Sequence, residues 1–162
     1  MNDDLSTNIP YVTLISMNIL ENKHVYRSYE ILDTISAGIV LSGAEVKSLR
    51  KNHGTINDSF VVFQDGALSL VKAYIPPYQV KNTPPSYDPY RARKLLLNKT
   101  EINNWFRKKS EAGLTIVPIK MYTENRKIKV LVGLARGKNK HDKRETIKTR
   151  DANREINRLL KN

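Results

Sequence analysis

Two long β segments, Leu114–Tyr122 and Ile128–Ala135, constrain the fold of this chain more than any other feature. The polar stretch Thr123–Lys127 joins them as a hairpin. A second hairpin is expected where Phe60–Phe63 and Leu68–Ala73 flank Asp65-Gly66, a pair suited to a tight turn. Tyr29–Ile35 and Ile39–Leu41 are further strand candidates, separated by Ala37-Gly38 as a turn or bulge. Six or so short antiparallel strands with two or three small helices predict a mainly β, closed or nearly closed barrel, because closure removes exposed strand edges.

The helices announce themselves by their caps. Ser42-Gly43-Ala44-Glu45 matches the capping box, with Ser as N-cap and Glu three residues on. Val46, Leu49 and His53 should share one side of that helix and Gly54 should stop it, leaving Lys47, Arg50 and Lys51 toward solvent or a partner. Ile75–Tyr87 holds Pro76, Pro77, Pro84 and Pro85 and reads as a loop. Asp88-Pro89 predicts a helix over Tyr90–Leu97, with Asp as N-cap and Pro at the first turn. Thr100 should cap another, with Ile102, Trp105 and Phe106 as its apolar side and Ala112-Gly113 at its end.

Charge points to a polyanion. The 162 residues fit one domain with appendages, and 40% hydrophobic content is enough for a core. The formal net charge is +12, and such an excess suits a nucleic acid or an anionic surface. Residues 137–162 are the most concentrated stretch, with nine Lys or Arg against four acids. Only Ile147, Ala152, Ile156, Leu159 and Leu160 are apolar there, too few to bury a face. On a helix, Arg150, Arg154 and Arg158 would form one stripe of like charge, which destabilises an isolated helix but suits a polyanionic partner. An ordinary solvated basic tail has the same composition.

The chain has no cysteine, which excludes disulfides, thiolate chemistry and Cys-based zinc sites and suits a reducing cytoplasm. Ile9–Leu20 is the one long apolar run, well short of the ~20 residues a membrane span needs. Asp3 and Asp4 precede it and the first basic residue is Lys23, so it does not read as a secretory signal. Met17 is a second candidate start, which would make residues 1–16 an artefact of start-codon choice; the intact mass of the native protein decides this. The organisation expected is an N-terminal extension over 1–21, a β-barrel domain over 22–136 and a basic tail over 137–162.

An enzyme is disfavoured. His24, His53 and His141 lack zinc-ligand spacing, and no Gly-rich loop matches a phosphate or dinucleotide fingerprint. His141-Asp142 with Lys143 sits in the basic tail, where nothing holds the geometry of acid–base catalysis. Ser48, His53 and Asp58 are better explained by the capped helix and the start of a strand. No catalytic residue, metal or cofactor is expected.

Four segments carry a resemblance: Gly43-Ala-Glu-Val-Lys-Ser-Leu-Arg50; Asp88-Pro-Tyr-Arg-Ala-Arg-Lys-Leu-Leu-Leu-Asn98; Gly133-Leu-Ala-Arg-Gly-Lys138; and His141-Asp-Lys-Arg144 with Lys148 and Arg150. In this order and spacing, with Asp58-Ser59 and Asp65-Gly66, they closely resemble the small protein B family of bacterial SsrA-binding proteins, over roughly Asn22 to Asn162. The resemblance implies an oligonucleotide-binding-type β-barrel with flanking helices and a basic C-terminal tail. It implies a non-catalytic, cytoplasmic protein, expected to be a monomer, that binds the tRNA-like part of transfer-messenger RNA. It also implies delivery to ribosomes stalled on messages without a stop codon, where the tail enters the empty mRNA channel and the nascent chain is tagged for degradation. Elongation factor Tu and alanyl-tRNA synthetase are implied as indirect partners through the shared RNA.

Residue roles follow from the same resemblance. Asn22 and Lys23 match positions near the RNA face. Arg50, Lys129, Arg136 and Lys138 match basic positions associated with transfer-messenger RNA, and Lys47 belongs with them; such groups supply sequence-independent affinity through phosphates. Leu96 matches a position linked to RNA binding, although Leu95–Leu97 packing a helix onto the barrel is the simpler and preferred role. In the tail, His141 would stack on a base or meet a phosphate near the decoding centre. Lys143, Arg144, Lys148, Arg150, Arg154 and Arg158 would line ribosomal RNA, and Leu159 and Leu160 would enter a pocket. The tail is expected to be disordered alone and helical when bound.

The chain departs from the family at Ile35-Ser36-Ala37-Gly38, where an aromatic residue followed by Glu-Ala-Gly is usual. Ser36 cannot replace the charge of that Glu. Ala152 stands where a larger residue is usual, and the leader 1–21 replaces a short basic N-terminus. The competing reading is a general single-stranded RNA-binding barrel that stacks bases on aromatics. Eight tyrosines are available, yet few fall on alternating strand positions.

Overall fold

The computed structural model of the chain describes residues 17–110 and 113–138. Residues 1–16, and with them the Met17 question, lie outside this range, as does the tail from 139 onward.

The two predicted hairpins are present and organise the sheet. β3 (Phe60–Gln64) and β4 (Ala67–Val71) turn through Asp65 and Gly66, and β6 (Leu114–Glu124) and β7 (Lys127–Gly137) turn through Asn125 and Arg126. All four turn residues have φ between 48° and 70°, the mirror-image turn that matches strand twist. Two strands stand between or before them: β2 (Tyr29–Ile39) and β5 (Arg93–Leu96). The antiparallel pairings run β6–β3–β4–β5–β2–β7 and return to β6, and β1 (Met17–Glu21) pairs with β6 as a seventh strand. The ring is thinnest where β3 meets β6, at the single pair Val61 and Ile116.

Two apolar clusters lie on opposite faces of β7. Val130, Val132 and Leu134 join Val61, Leu70, Leu95, Ile116 and Met121 in the main core, closed by Leu49 and Trp105. Leu131 and Ala135 join Val117, Ile119 and Tyr122 in a second cluster covered by Val25. Burial on both faces explains why this strand reads as a nearly continuous apolar run.

The capping box forms as expected. Ser42 Oγ accepts from the Glu45 amide at 3.3 Å and Glu45 Oε2 accepts from the Ser42 amide at 2.7 Å, opening α2 (Gly43–Arg50). The helix stops earlier than Gly54, because Asn52 takes the left-handed conformation at φ 58°, and His53 is exposed beyond the end. Gly54 serves another purpose. Its φ is 126° and a Cβ there would sit 2.7 Å from the Tyr74 carbonyl oxygen, so the close approach of the two backbones requires glycine.

Four expectations are corrected. Ala37-Gly38 is not a turn: β2 runs unbroken from Tyr29 to Ile39, and its bulge falls between Ile31 and Asp33. Asp88-Pro89 does not open a helix. Asp88 Oδ1 accepts from the Tyr90 amide at 2.8 Å, closing a local turn, and the chain then extends into β5. Arg93 and Leu95 are buried while Lys94 and Leu96 are exposed; such alternation is possible only with a period of two. The next helix, α3 (Lys99–Ser110), begins before Thr100, and the Glu101 side chain accepts from the Asn98 amide at 2.8 Å. Its apolar side also divides, with Trp105 in the core and Phe106 exposed, edge-on to Phe63 at 5.1 Å.

Two elements were not foreseen. β1 brings residues 17–21 into the sheet, on the N-terminal side of the boundary expected at residue 22. The one-turn helix α1 (Val25–Ser28) follows it and seats Val25 in the second cluster.

Candidate nucleic-acid interface

Strand register assembles a row from four strands. Leu96 pairs with Gly38, Gly38 with Lys129, and Lys129 with Tyr122. Directly paired residues share a face of the sheet. Lys129 lies one residue from the core-facing Ile128 and Val130, so this is the face turned away from the main core. Leu96 is 54% exposed; it does not pack a helix onto the body, and Leu95 beside it takes the buried position instead. Gly38 lets the neighbouring strand lie close, since a Cβ there would stand 3.2 Å from Leu96 Cβ.

Polar groups on this face are already engaged with each other. Ser36 Oγ and the Tyr122 hydroxyl are 2.5 Å apart, so Ser36 is tied to an aromatic side chain that is itself buried. Lys129 Nζ donates to Glu124 Oε2, and this hydrogen bond raises the lysine pKa. Lys120 Nζ lies 5.6 Å from the Tyr122 ring centroid. Arg50, exposed at the end of α2, reaches the Arg126 carbonyl of the β6–β7 turn at 3.5 Å. Lys47 is exposed one helical turn earlier.

The remaining basic candidates gather at the other end of β7. Arg136 is exposed and pairs with Glu30, seven residues or about 23 Å along the strand from Lys129. The Lys138 amide donates to the Ser28 carbonyl and its Nζ to the Tyr26 carbonyl, both at 3.0 Å. Asn22 is buried and its side chain is engaged: Nδ2 donates to the Pro118 carbonyl at 3.1 Å and Oδ1 accepts from the His24 amide at 3.3 Å. Pro118 has no amide to give the ladder and lies at the β6 bulge, so the Asn22 side chain and amide fasten the chain where regular pairing lapses. Lys23 beside it is exposed. A cavity of about 360 Å³ opens here, with Asn22, Ser28, Tyr29, Asp58, Phe60 and Gly137 among its walls.

The sequence-predicted set thus divides into Leu96, Lys129, Arg50 and Lys47 toward one end and Asn22, Lys23, Arg136 and Lys138 at the other. Lys94 and Lys120 lie on the same face as Leu96 and Lys129 and are not among the residues that the sequence singles out. Reading 93–96 as a strand would have found Lys94, since exposed Lys94 and Leu96 then share a face. His141, Lys143, Arg144, Lys148, Arg150, Arg154, Arg158, Leu159 and Leu160 lie outside the described residues. Among the described residues no group of three or more His, Cys, Asp or Glu is placed to hold a metal ion, and no helix is long and apolar enough to cross a membrane.

Comparison with known proteins places this geometry. A family model described as SmpB protein matches residues 19–162. An SsrA-binding protein from Bartonella henselae is 49% identical over 144 residues, covering 88% of this chain and 90% of the relative. One from Brucella canis is 47% identical over the same length and coverage. A solved chain described as "tmRNA-SmpB: a journey to the center of the bacterial ribosome" superposes with a TM-score of 0.64 at 45% identity, covering 81% of this chain and 95% of that one. With its strand order, its basic face and these relatives taken together, the chain belongs to the SmpB family of SsrA-binding proteins.

Proposed function

We propose that this protein binds the tRNA-like domain of transfer-messenger RNA and delivers it to stalled ribosomes for trans-translation, so that the nascent chain is tagged for degradation. The observation that carries the reading is the row Leu96–Gly38–Lys129, which sets an exposed apolar side chain beside a lysine on one face of the sheet, within a chain whose relatives are SsrA-binding proteins. Lysine contacts to phosphate give affinity, and an exposed leucine beside them adds apolar contact to a base or sugar.

On this reading the sheet is an oligonucleotide-binding-type barrel spanning 22–136, with β1 as an added strand, and 137–162 is a ribosome-directed tail. The protein acts without catalysis, as a monomer in the cytoplasm. It meets elongation factor Tu and alanyl-tRNA synthetase through the RNA it shares with them.

The test is a competition titration at near-physiological salt. It compares the tRNA-like domain of transfer-messenger RNA, an ordinary tRNA and an unstructured RNA of equal length. Clear preference for the tRNA-like domain is expected. Equal affinity for all three, falling together as salt rises, would leave a generic basic RNA binder.

A further inference from the structure

A cavity beside the root of the tail lies apart from the Leu96–Lys129 row. Its walls include Tyr29, Phe60 and Val117, which supply aromatic and apolar surface, and Ser28 and Asp58, which supply polar groups. Asp58 makes no hydrogen bond or ion pair among the described residues. It stands in the left-handed region at φ 59°, a conformation that costs free energy for a side chain larger than glycine and recurs at functional sites. The turn around it is locked: Ser59 Oγ donates to the Ile56 carbonyl at 2.6 Å and the Asn57 amide to Thr55 Oγ1 at 3.1 Å. The backbone at Asp58 is therefore fixed, while its exposed carboxylate is left without a partner among the described residues.

A lone carboxylate is an unsuitable neighbour for a phosphate. In a chain of net charge +12 that binds RNA, it suits instead the hydrogen-bond donors of a base edge. About 360 Å³, lined by polar side chains together with Tyr29, Phe60 and Val117, is ample for one base. Among unpaired bases, guanine alone offers two adjacent donors, N1–H and the N2 amino group, which a carboxylate accepts side by side.

We propose that this cavity receives a single unstacked guanine of the bound RNA, packed against Tyr29 and Phe60, with the Asp58 carboxylate accepting from N1–H and N2–H. The inference rests on the RNA-binding reading above and adds a base-reading site to it. The cavity lies at the Arg136 end of β7, away from the Leu96–Lys129 row. Gly137 at its wall makes it continuous with the point where the tail leaves.

The experiment is an NMR titration of isotope-labelled full-length protein with the 5′-monophosphates of guanosine, adenosine, cytidine and uridine. The guanosine nucleotide is expected to shift the amides of Ser28, Asp58, Ser59 and Val117, and to bind about tenfold tighter than the adenosine one, the scale of one bidentate contact. Asp58→Asn keeps a residue that tolerates the left-handed backbone, and it should abolish that preference while the dispersed amide spectrum persists. Equal binding of all four nucleotides, shifts confined to the Lys129 surface, or guanosine preference surviving in Asp58→Asn would each overturn the proposal. So would contacts in the free protein between the cavity and residues 139–162, which would make the tail its occupant. The RNA-binding reading fails by a different sign, loss of preference for the tRNA-like domain in the competition titration.

Discussion

Arg93 Nε donates to Glu45 Oε1 at 2.8 Å with both side chains fully buried, although 48 residues separate them. Arg93 also donates to the carbonyls of Ala73 and Pro89, each at 2.8 Å, and Arg91 closes on the same carboxylate from the solvent side. α2 is thereby fastened to β5 and to the end of the proline-rich loop. Glu45→Gln would leave a buried guanidinium without its counter-charge, and breaking a buried pair in this way costs about 3–5 kcal/mol. The expected outcome is a large fall in the urea midpoint, and Arg91→Ala, at a side chain 35% exposed, should cost clearly less.

The same carboxylate makes the fold acid-sensitive. Burial alone would raise the Glu45 pKa, but hydrogen bonds from Arg91, Ser42 and Arg93 together hold it below the usual value. A group whose pKa is depressed by folding contributes stability above its unfolded pKa, near 4.5, and loses it as pH falls through the folded value. The stability gap between the native protein and Glu45→Gln should therefore be constant near neutrality and narrow below about pH 4.5, as read from denaturation series.

Lys129 reaches any phosphate in competition with Glu124. Lys129→Ala should weaken binding of the tRNA-like domain and lower the salt slope by about one contact. Glu124→Gln frees the lysine and should tighten binding. An unchanged affinity in both variants would remove Lys129 from the interface.

Ser36 and Tyr122 are unequal partners. Ser36→Ala leaves a phenol buried at 1% exposure without its partner, whereas Tyr122→Phe leaves an exposed hydroxyl that water can serve. Leaving a buried polar group unsatisfied costs about 1–3 kcal/mol. Thermal denaturation should accordingly show Ser36→Ala as the more damaging change.

Truncation after Gly137 should leave binding of transfer-messenger RNA largely intact while abolishing tagging on stalled ribosomes. Loss of both together would place the tail within the primary RNA site. Equilibrium binding and a tagging assay on the same preparation separate the outcomes.

Local chemistry was legible and tertiary demand was not. Asp65-Gly66 and the Ser42–Glu45 capping box depend on contacts within four residues, so their sequence signals were sufficient. Asp88-Pro89 is an equally good local signal for a helix, yet residues 93–96 extend because Arg93 must reach Glu45 and Leu95 must reach the core. That misreading also concealed why Leu96 is exposed. Gly38 looked like a turn for the same reason: its lack of a side chain serves the neighbouring strand rather than a reversal of its own. Family resemblance found Leu96 and Lys129 at positions 33 residues apart, but only the register placed them on either side of Gly38.

β7 is held along nearly its whole length by β2 on one side and β6 on the other. Such a strand is a ruler. Its marks are spaced by covalent geometry, and the Lys129 end and the Arg136 end cannot drift apart or together while the hairpins hold. RNA held at the Lys129 end would therefore carry the Arg136 end to a fixed place and heading. Aim would be conferred by the stiffness of one strand.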